Sequence, residues 1–255
     1  MAKKIVEEVR FENQTLIDHL GELRIRLVRS LYAIIIAAAV CYYYSEQLFD
    51  IIRAPIQAFL PNGGLVFTAP TDKFMAHLKV AFFSGLIVSC PIWFYQLWKF
   101  VAPGLYVNER KYSFIFIFSG SLLFIVGVLF AYYGVMPVAF QYLMNFGGSI
   151  DKPMITIDSY LGTFLTMALM FGLTFELPVV LVILGMMGVV SKKFLSEKRR
   201  YAVVLLAIMS AIFTPGPDIL SQMMMLVPMV ILYEFAVLIV GLVEKKRAIA
   251  VNERE

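Results

Sequence analysis

The sequence predicts an all-α integral membrane protein of six transmembrane helices with both termini cytoplasmic. Three observations carry that reading. Of 255 residues, 60% are apolar or aromatic and 16% are charged, with a mean hydropathy of +0.81. Soluble domains lie nearer about 45–50% apolar and about 25% charged. Runs of roughly 20 apolar residues recur, which is the helical length needed to cross a hydrocarbon core about 30 Å thick. Finally, lysines and arginines concentrate in alternate connecting segments. A disordered chain, a disulfide scaffold and an ordinary cytosolic enzyme are excluded by this composition. Residues 1–255 read as a single polytopic membrane domain.

The first span is Leu27–Tyr44, with Arg29 near its start. Twenty-six mixed-charge residues precede it and no small-residue cleavage site follows, so it is retained and is not a cleaved signal peptide. In the outer segment 45–73, Leu48, Phe49, Ile52, Ile56, Phe59 and Leu60 fall at helical spacing ahead of a Pro-Asn-Gly-Gly turn at 61–64. This predicts a short amphipathic helix capping the outer face.

The second span is Phe74–Trp98 and the third Phe114–Pro137. In the third, Gly120, Gly127 and Gly134 recur every seven residues, predicting a packing stripe on one face where helix backbones approach closely. The fourth span, Tyr160–Met187, is interrupted by Glu176. Tyr201–Thr214 and Ile219–Val243 form the fifth and sixth, divided by Pro215-Gly216-Pro217-Asp218, which favours a turn over one long kinked helix. The fifth, with 14 residues, reaches only about 21 Å. It must thin the bilayer or lean on neighbours.

Orientation follows from the basic residues. Of 22 lysines and arginines, 18 lie in segments 1–30, 99–113, 188–201 and the tail, on one side. The other side holds Arg53, Lys73 and Lys152, and Lys79 sits inside the second span.

Charges inside a membrane cost about 2.5–3.5 kcal/mol each on insertion scales. Lys79, near the outer end of its span, can snorkel to the interface. Glu176, in FGLTFELPVV beside Pro178, must face a protein interior or a watery cavity, or stay uncharged, and is the leading functional candidate. Glu234 lies nearer the cytoplasmic end of the last span. Glu22 pairs by helical spacing with Arg26, and Glu109 stands beside Arg110. Taken alone, each of these two acids reads more simply as a solvated group balancing a basic loop. The thiols of Cys41 and Cys90 read as buried apolar groups. His19 and His77 fall on opposite sides of the membrane, so they cannot share a metal. No metalloprotease, nucleophile-elbow or Walker A motif occurs, so no catalytic residue, cofactor or metal site is expected and transport would draw its energy from elsewhere than a P-loop.

Four ordered segments, HLGELRIRL (19–27), SCPIWFYQLWKFVAPGLYVNERK (89–111), FGLTFELP (171–178) and TPGPDILSQ (214–222), resemble the TatC family, the multi-spanning core of the twin-arginine protein translocase. The likeness spans nearly the whole chain. Gly216 stands between two prolines that are adjacent in the family's commoner form.

The resemblance implies six helices in a curved, glove-like bundle with short fifth and sixth helices, in a bacterial inner membrane. It implies a receptor for twin-arginine signal peptides of folded cargo, driven by the proton motive force. Glu22, Glu109, Phe100, Pro103, Leu105, Tyr106 and Arg110 would form the signal-binding region, and Glu176 matches the intramembrane acid. Pro55 and Asp218 match outer positions for assembly. Thr214 and Gln222 match the polar region that docks single-span TatA/TatB partners. Other copies of the chain and membrane lipid complete the expected partners, with no nucleic acid. Arginines keep their charge and pair well with carboxylates, so two acids at the membrane surface complement such a peptide. The rival reading is a proton-coupled secondary transporter using Glu176, although no paired broken helices mark two halves.

Overall fold

The computed structural model describes residues 16–57, 59–60, 64–102, 113–145, 154–214 and 219–252. Among them the architecture is all-helical, with one isolated parallel bridge between Val66 and Thr156. Four helical stretches, Leu20–Tyr43, Ser113–Asn145, Ile157–Met186 and Gln222–Lys245, are long and apolar enough to cross a membrane. A bent pair, Asp72–Val88 with Cys90–Val101, makes a fifth.

Helix α1 (Leu16–Tyr43) is followed by the short amphipathic α2 (Ser45–Gln57), the cap helix expected from the 45–60 pattern. Ile52 and Ile56 of α2 are buried against the bundle. The carboxylate of Asp72 then starts α3 (Asp72–Val88) by accepting the N–H groups of Thr68 and Ala69, both at 2.8 Å. These bonds satisfy donors just ahead of the first helical turn.

The second span is not the continuous helix its hydropathy suggests. It breaks at Ser89 into α3 and α4 (Cys90–Val101), bent by 56°. Pro91 is the reason: it cannot donate to the carbonyl one turn back and sits at the opening of a new helix. The indole N–H of Trp93 reaches back to the Leu86 carbonyl at 3.1 Å and props the bend. The two halves share α1 and differ in their other neighbours. Gly85 lies against Ala38 of α1, where a Cβ would come within 2.5 Å of the main-chain nitrogen. The α4 half packs on both α1 and α5 (Ser113–Phe130).

The third span also departs from expectation. It runs through a π-helical segment, Ala131–Val135, into α6 (Met136–Asn145) and so continues past Pro137. A wider π turn absorbs the carbonyl that Pro137 leaves without a donor. The inserted register also moves Gly134 off the glycine stripe. Gly127 closes on the Phe171 carbonyl of α7 (Ile157–Phe175), where a Cβ would lie only 2.6 Å from the oxygen. Gly120 accommodates Phe94. The atoms nearest a Cβ at Gly134 belong to Phe130 of its own span, at 3.6 Å and beyond.

Thr156 caps α7 by accepting the Ser159 N–H, and α8 (Leu177–Met186) follows across a break at Glu176. A Gly188 of φ +77 with a Val189 N–H to Leu184 carbonyl bond of 2.9 Å ends α8, a left-handed stop that suits glycine. The small α9 (Lys192–Glu197) leads to α10 (Arg199–Phe213), whose 15 residues span about 22 Å and bear out the short fifth helix. The expectation of a short sixth helix fails. The last helix, α11 (Ile219–Asn252), has 34 residues because Pro228 is tolerated in its interior and no other breaker interrupts it. α8 and α10 both pack on α11. Arg199–Phe213 and Ile219–Asn252 are separate helices, and the turn expected at 215–218 lies outside the described residues.

Candidate functional site

Two adjoining cavities flank α4. The first, about 350 Å³, opens between α1 and α4 and is lined by Leu23, Arg26, Leu27, Ser30, Gln96 and Phe100 among others. The second, about 550 Å³, lies between α4, α5 and α8 and holds Trp98, Phe100, Phe116, Glu176, Val180 and Met187. Trp93, Leu97, Phe100 and Leu173 belong to both linings. Helix α4 is therefore a partition, and Phe100 stands where the two spaces meet.

At the first cavity Arg26 holds Glu22 through its Nε at 3.0 Å and a second, shorter contact from its other guanidinium nitrogen. One turn of helix separates the two residues, so backbone geometry alone brings them together. The pair holds a carboxylate beside Arg26, which lines a slot that is otherwise apolar except for Ser30 and Gln96.

At the second cavity Glu176 occupies the break between α7 and α8. Pro178 at the start of α8 prevents a continuous helical ladder, and Glu176 terminates α7 by donating its N–H to Leu173. The residue is 8% exposed. Its Oε2 faces Gly120, where a Cβ would lie 3.3 Å away, so the glycine makes the room the carboxylate occupies. Oε1 is buried without a hydrogen-bond partner among the described residues. A buried oxygen in that state costs free energy until a donor reaches it. Of the two placements expected for this acid, the protein interior at a cavity wall is the one observed.

The other intramembrane charges find partners across helices. Lys79 pairs with Asp158 at the start of α7. Glu234 accepts from Arg199 at 2.8 Å, tying α11 to the head of α10. Cys41 and Cys90 are buried and free. Among the described residues no His/Cys/Asp/Glu group has a metal-binding arrangement.

At the α10–α11 hairpin, Gln222 donates to the Ala207 carbonyl at 3.2 Å, and Ser210 donates to the same carbonyl at 2.9 Å. Thr214 ends α10 and is buried. Thr214 and Gln222 thus belong to one polar end of this hairpin. Pro55 lies inside α2. Pro103, Leu105, Tyr106, Glu109, Arg110 and Asp218 lie outside the described residues, as does the side chain of His19.

Sequence reasoning missed Gln96. Its Oε1 is buried without a partner among the described residues, on the wall of the first cavity. A lone amide in the apolar run SCPIWFYQLWKF was the available signal.

Residues 18–228 match the family described as Sec-independent protein translocase protein (TatC). The chain belongs to the TatC family. A Sec-independent protein translocase protein TatC from Carboxydothermus hydrogenoformans is 40% identical over 91% of this chain and 95% of that protein. The one from Aquifex aeolicus is 34% identical over 91% and 97%. A crystal structure of the twin arginine translocase receptor TatC superposes with a TM-score of 0.76 at 32% identity, covering 87% of this chain and 97% of that one. TatC membership makes the chain a multi-pass component of a protein translocase and not an enzyme.

Proposed function

We propose that this chain is the signal-peptide receptor and assembly core of a twin-arginine translocase, a single membrane domain of six spans with both termini cytoplasmic. The observation that carries the reading is the pairing of a surface carboxylate with an apolar cavity. Glu22 is held by Arg26 on the wall of the slot between α1 and α4, and that slot adjoins the space lined by Glu176. A peptide with paired arginines followed by an apolar stretch has the matching order of charge and hydrophobicity. Glu109 supplies the second carboxylate, with Pro103, Leu105, Tyr106 and Arg110 shaping the same recognition loop and Phe100 joining it to the cavities.

The lysine and arginine distribution supports the orientation. The 15-residue α10 supplies the remaining crossing, short of the hydrocarbon thickness. Glu176, with its unpartnered Oε1, is the acceptor for a partner helix or an advancing signal hairpin. Pro55 and Asp218 serve assembly on the outer face, while Thr214 and Gln222 receive single-span TatA/TatB-type subunits. The working complex contains further copies of the chain, sits in the bacterial inner membrane and uses the proton motive force.

The test is the affinity of the purified chain for a peptide bearing two arginines ahead of an apolar segment. Controls are a two-lysine peptide and the Glu22→Ala, Glu109→Ala double variant. Each charge-assisted hydrogen bond is worth about 1.5–3 kcal/mol, so losing both acids weakens binding at least about tenfold. Equal binding by the double variant overturns the site, and indifference to the peptide overturns the receptor reading.

A further inference from the structure

The receptor reading leaves unused a cluster of cations at the head of α10. Lys192, Lys193, Lys198, Arg199 and Arg200 lie within nine residues. Three are engaged. The stem of Lys192 lies across Gly241 of α11, leaving a Cβ there only 2.5 Å from its Cδ, and its main-chain N–H donates to Glu244 at 3.0 Å. Lys193 faces Glu197 at 3.9 Å, and Arg199 is taken by Glu234.

Lys198 and Arg200 have no acidic partner among the described residues, and both converge on one ring. The ammonium of Lys198 lies 5.4 Å from the centroid of Tyr201, and the guanidinium carbon of Arg200 lies 4.7 Å from it. Arg200 also donates to the Tyr201 hydroxyl at 2.6 Å, which holds its fork in place. Tyr201 itself is 55% exposed.

Below that ring runs an exposed apolar stripe of Val204, Leu205, Ile208 and Ile212. At 100° per residue it occupies the face opposite the buried Ser210 and Thr214. From Tyr201 to Ile212 the helix rises by eleven residue steps, about 16 Å. One leaflet of the hydrocarbon core is about 15 Å, half of the ~30 Å total. Charge, aromatic ring and apolar stripe therefore succeed one another in the order of a phospholipid's phosphate, interface and acyl chain.

We propose that this face binds an anionic phospholipid, its phosphodiester received by Lys198 and Arg200 and its acyl chain laid along Val204, Ile208 and Ile212. A zwitterionic lipid carries its own cation next to the phosphate and gains less from the pair. The bound headgroup fixes the head of α10 at one membrane surface. The shortfall between its ~22 Å and the ~30 Å core then falls wholly at the other end, beside Thr214.

The experiment titrates the purified full chain with phosphatidylglycerol and with phosphatidylcholine and follows adducts by native mass spectrometry. Phosphatidylglycerol is retained in preference, and the Lys198→Gln, Arg200→Gln double variant weakens it roughly tenfold. Arg53→Gln, on α2, leaves it unchanged, and inorganic phosphate does not compete. Equal retention of the two lipids, or full retention by the double variant, overturns the proposal. Displacement by phosphate marks a simple anion site and also overturns it. A photo-crosslinker at position 208 in membranes provides a readout with both cations intact: lipid adducts support the site, and a protein adduct in their place replaces the lipid with a partner helix.

Discussion

The hydroxyl of Tyr132 takes the place of the amide hydrogen that Pro55 lacks. Proline at position 55 of α2 leaves the Ile51 carbonyl without a helical donor, and Tyr132 of the π segment donates to that carbonyl at 2.8 Å. Next to it, the buried Tyr160 of α7 donates to the Ile52 carbonyl at 2.5 Å. Two tyrosines from two spans thus grip consecutive carbonyls of the cap helix.

Tyr132→Phe is expected to lower stability by about 1 kcal/mol. In a Pro55→Ala background the new N–H supplies Ile51 from within the helix, and the same substitution costs almost nothing. Thermal unfolding of the four chains in detergent gives the coupling. Additive effects would show that Pro55 acts through something other than the freed carbonyl.

Gly127→Ala drives a methyl against the Phe171 carbonyl, whereas at Gly134 the nearest neighbouring atom would lie 3.6 Å away. Overpacking of the first kind costs about 1–3 kcal/mol. Gly134→Ala is neutral or slightly stabilising, because it replaces glycine inside a helical segment. Melting curves that moved together for both variants would contradict the register change at the π segment.

Glu176→Ala removes the acceptor from the second cavity without touching Glu22. Peptide affinity stays close to that of the unaltered chain, while recovery of partner subunits on affinity purification falls. Lost peptide binding with normal assembly is the outcome that refutes this division of labour.

Arg199 and Glu234 are each about half exposed, so their pairing is a weak restraint. Glu234→Gln is expected to change unfolding free energy by no more than about 1 kcal/mol, and molar salt should shrink the difference further. A loss of several kcal/mol would mean that the pair is shielded in the membrane.

What the sequence shows, and what it hides, divides along physical lines. Hydropathy alone located the long apolar helices, and the pattern Leu48, Phe49, Ile52, Ile56 was enough for the cap helix, because both are local signals. The short α10 was legible from its breakers. Pairings such as Lys79 with Asp158 and Arg199 with Glu234 were invisible, since nothing in the local pattern says which helix a charge will meet. The bend at Ser89 was signalled by Pro91 but masked by an unbroken apolar run. Gln96 went unweighed for the same reason. For the site, the Glu22–Arg26 pair follows from a four-residue spacing, while the unpartnered Glu176 oxygen and its glycine-made niche emerge only from α5 lying against α7.

The π segment has a bearing on how this chain can change length. A π turn holds about one residue more than an α turn in the same rotation, so one residue removed between Ala131 and Val135 would convert the segment to plain α-helix and leave α6 packed on α2. Gly120 and Gly127, ahead of the segment, would keep their register as well. A second deletion finds no wide turn to absorb it and would swing α6 by about 100° away from α2. The segment is therefore a one-residue reserve: the span tolerates the loss of that residue and no more, unless an indel in the 45–57 segment restores the grip on the cap helix.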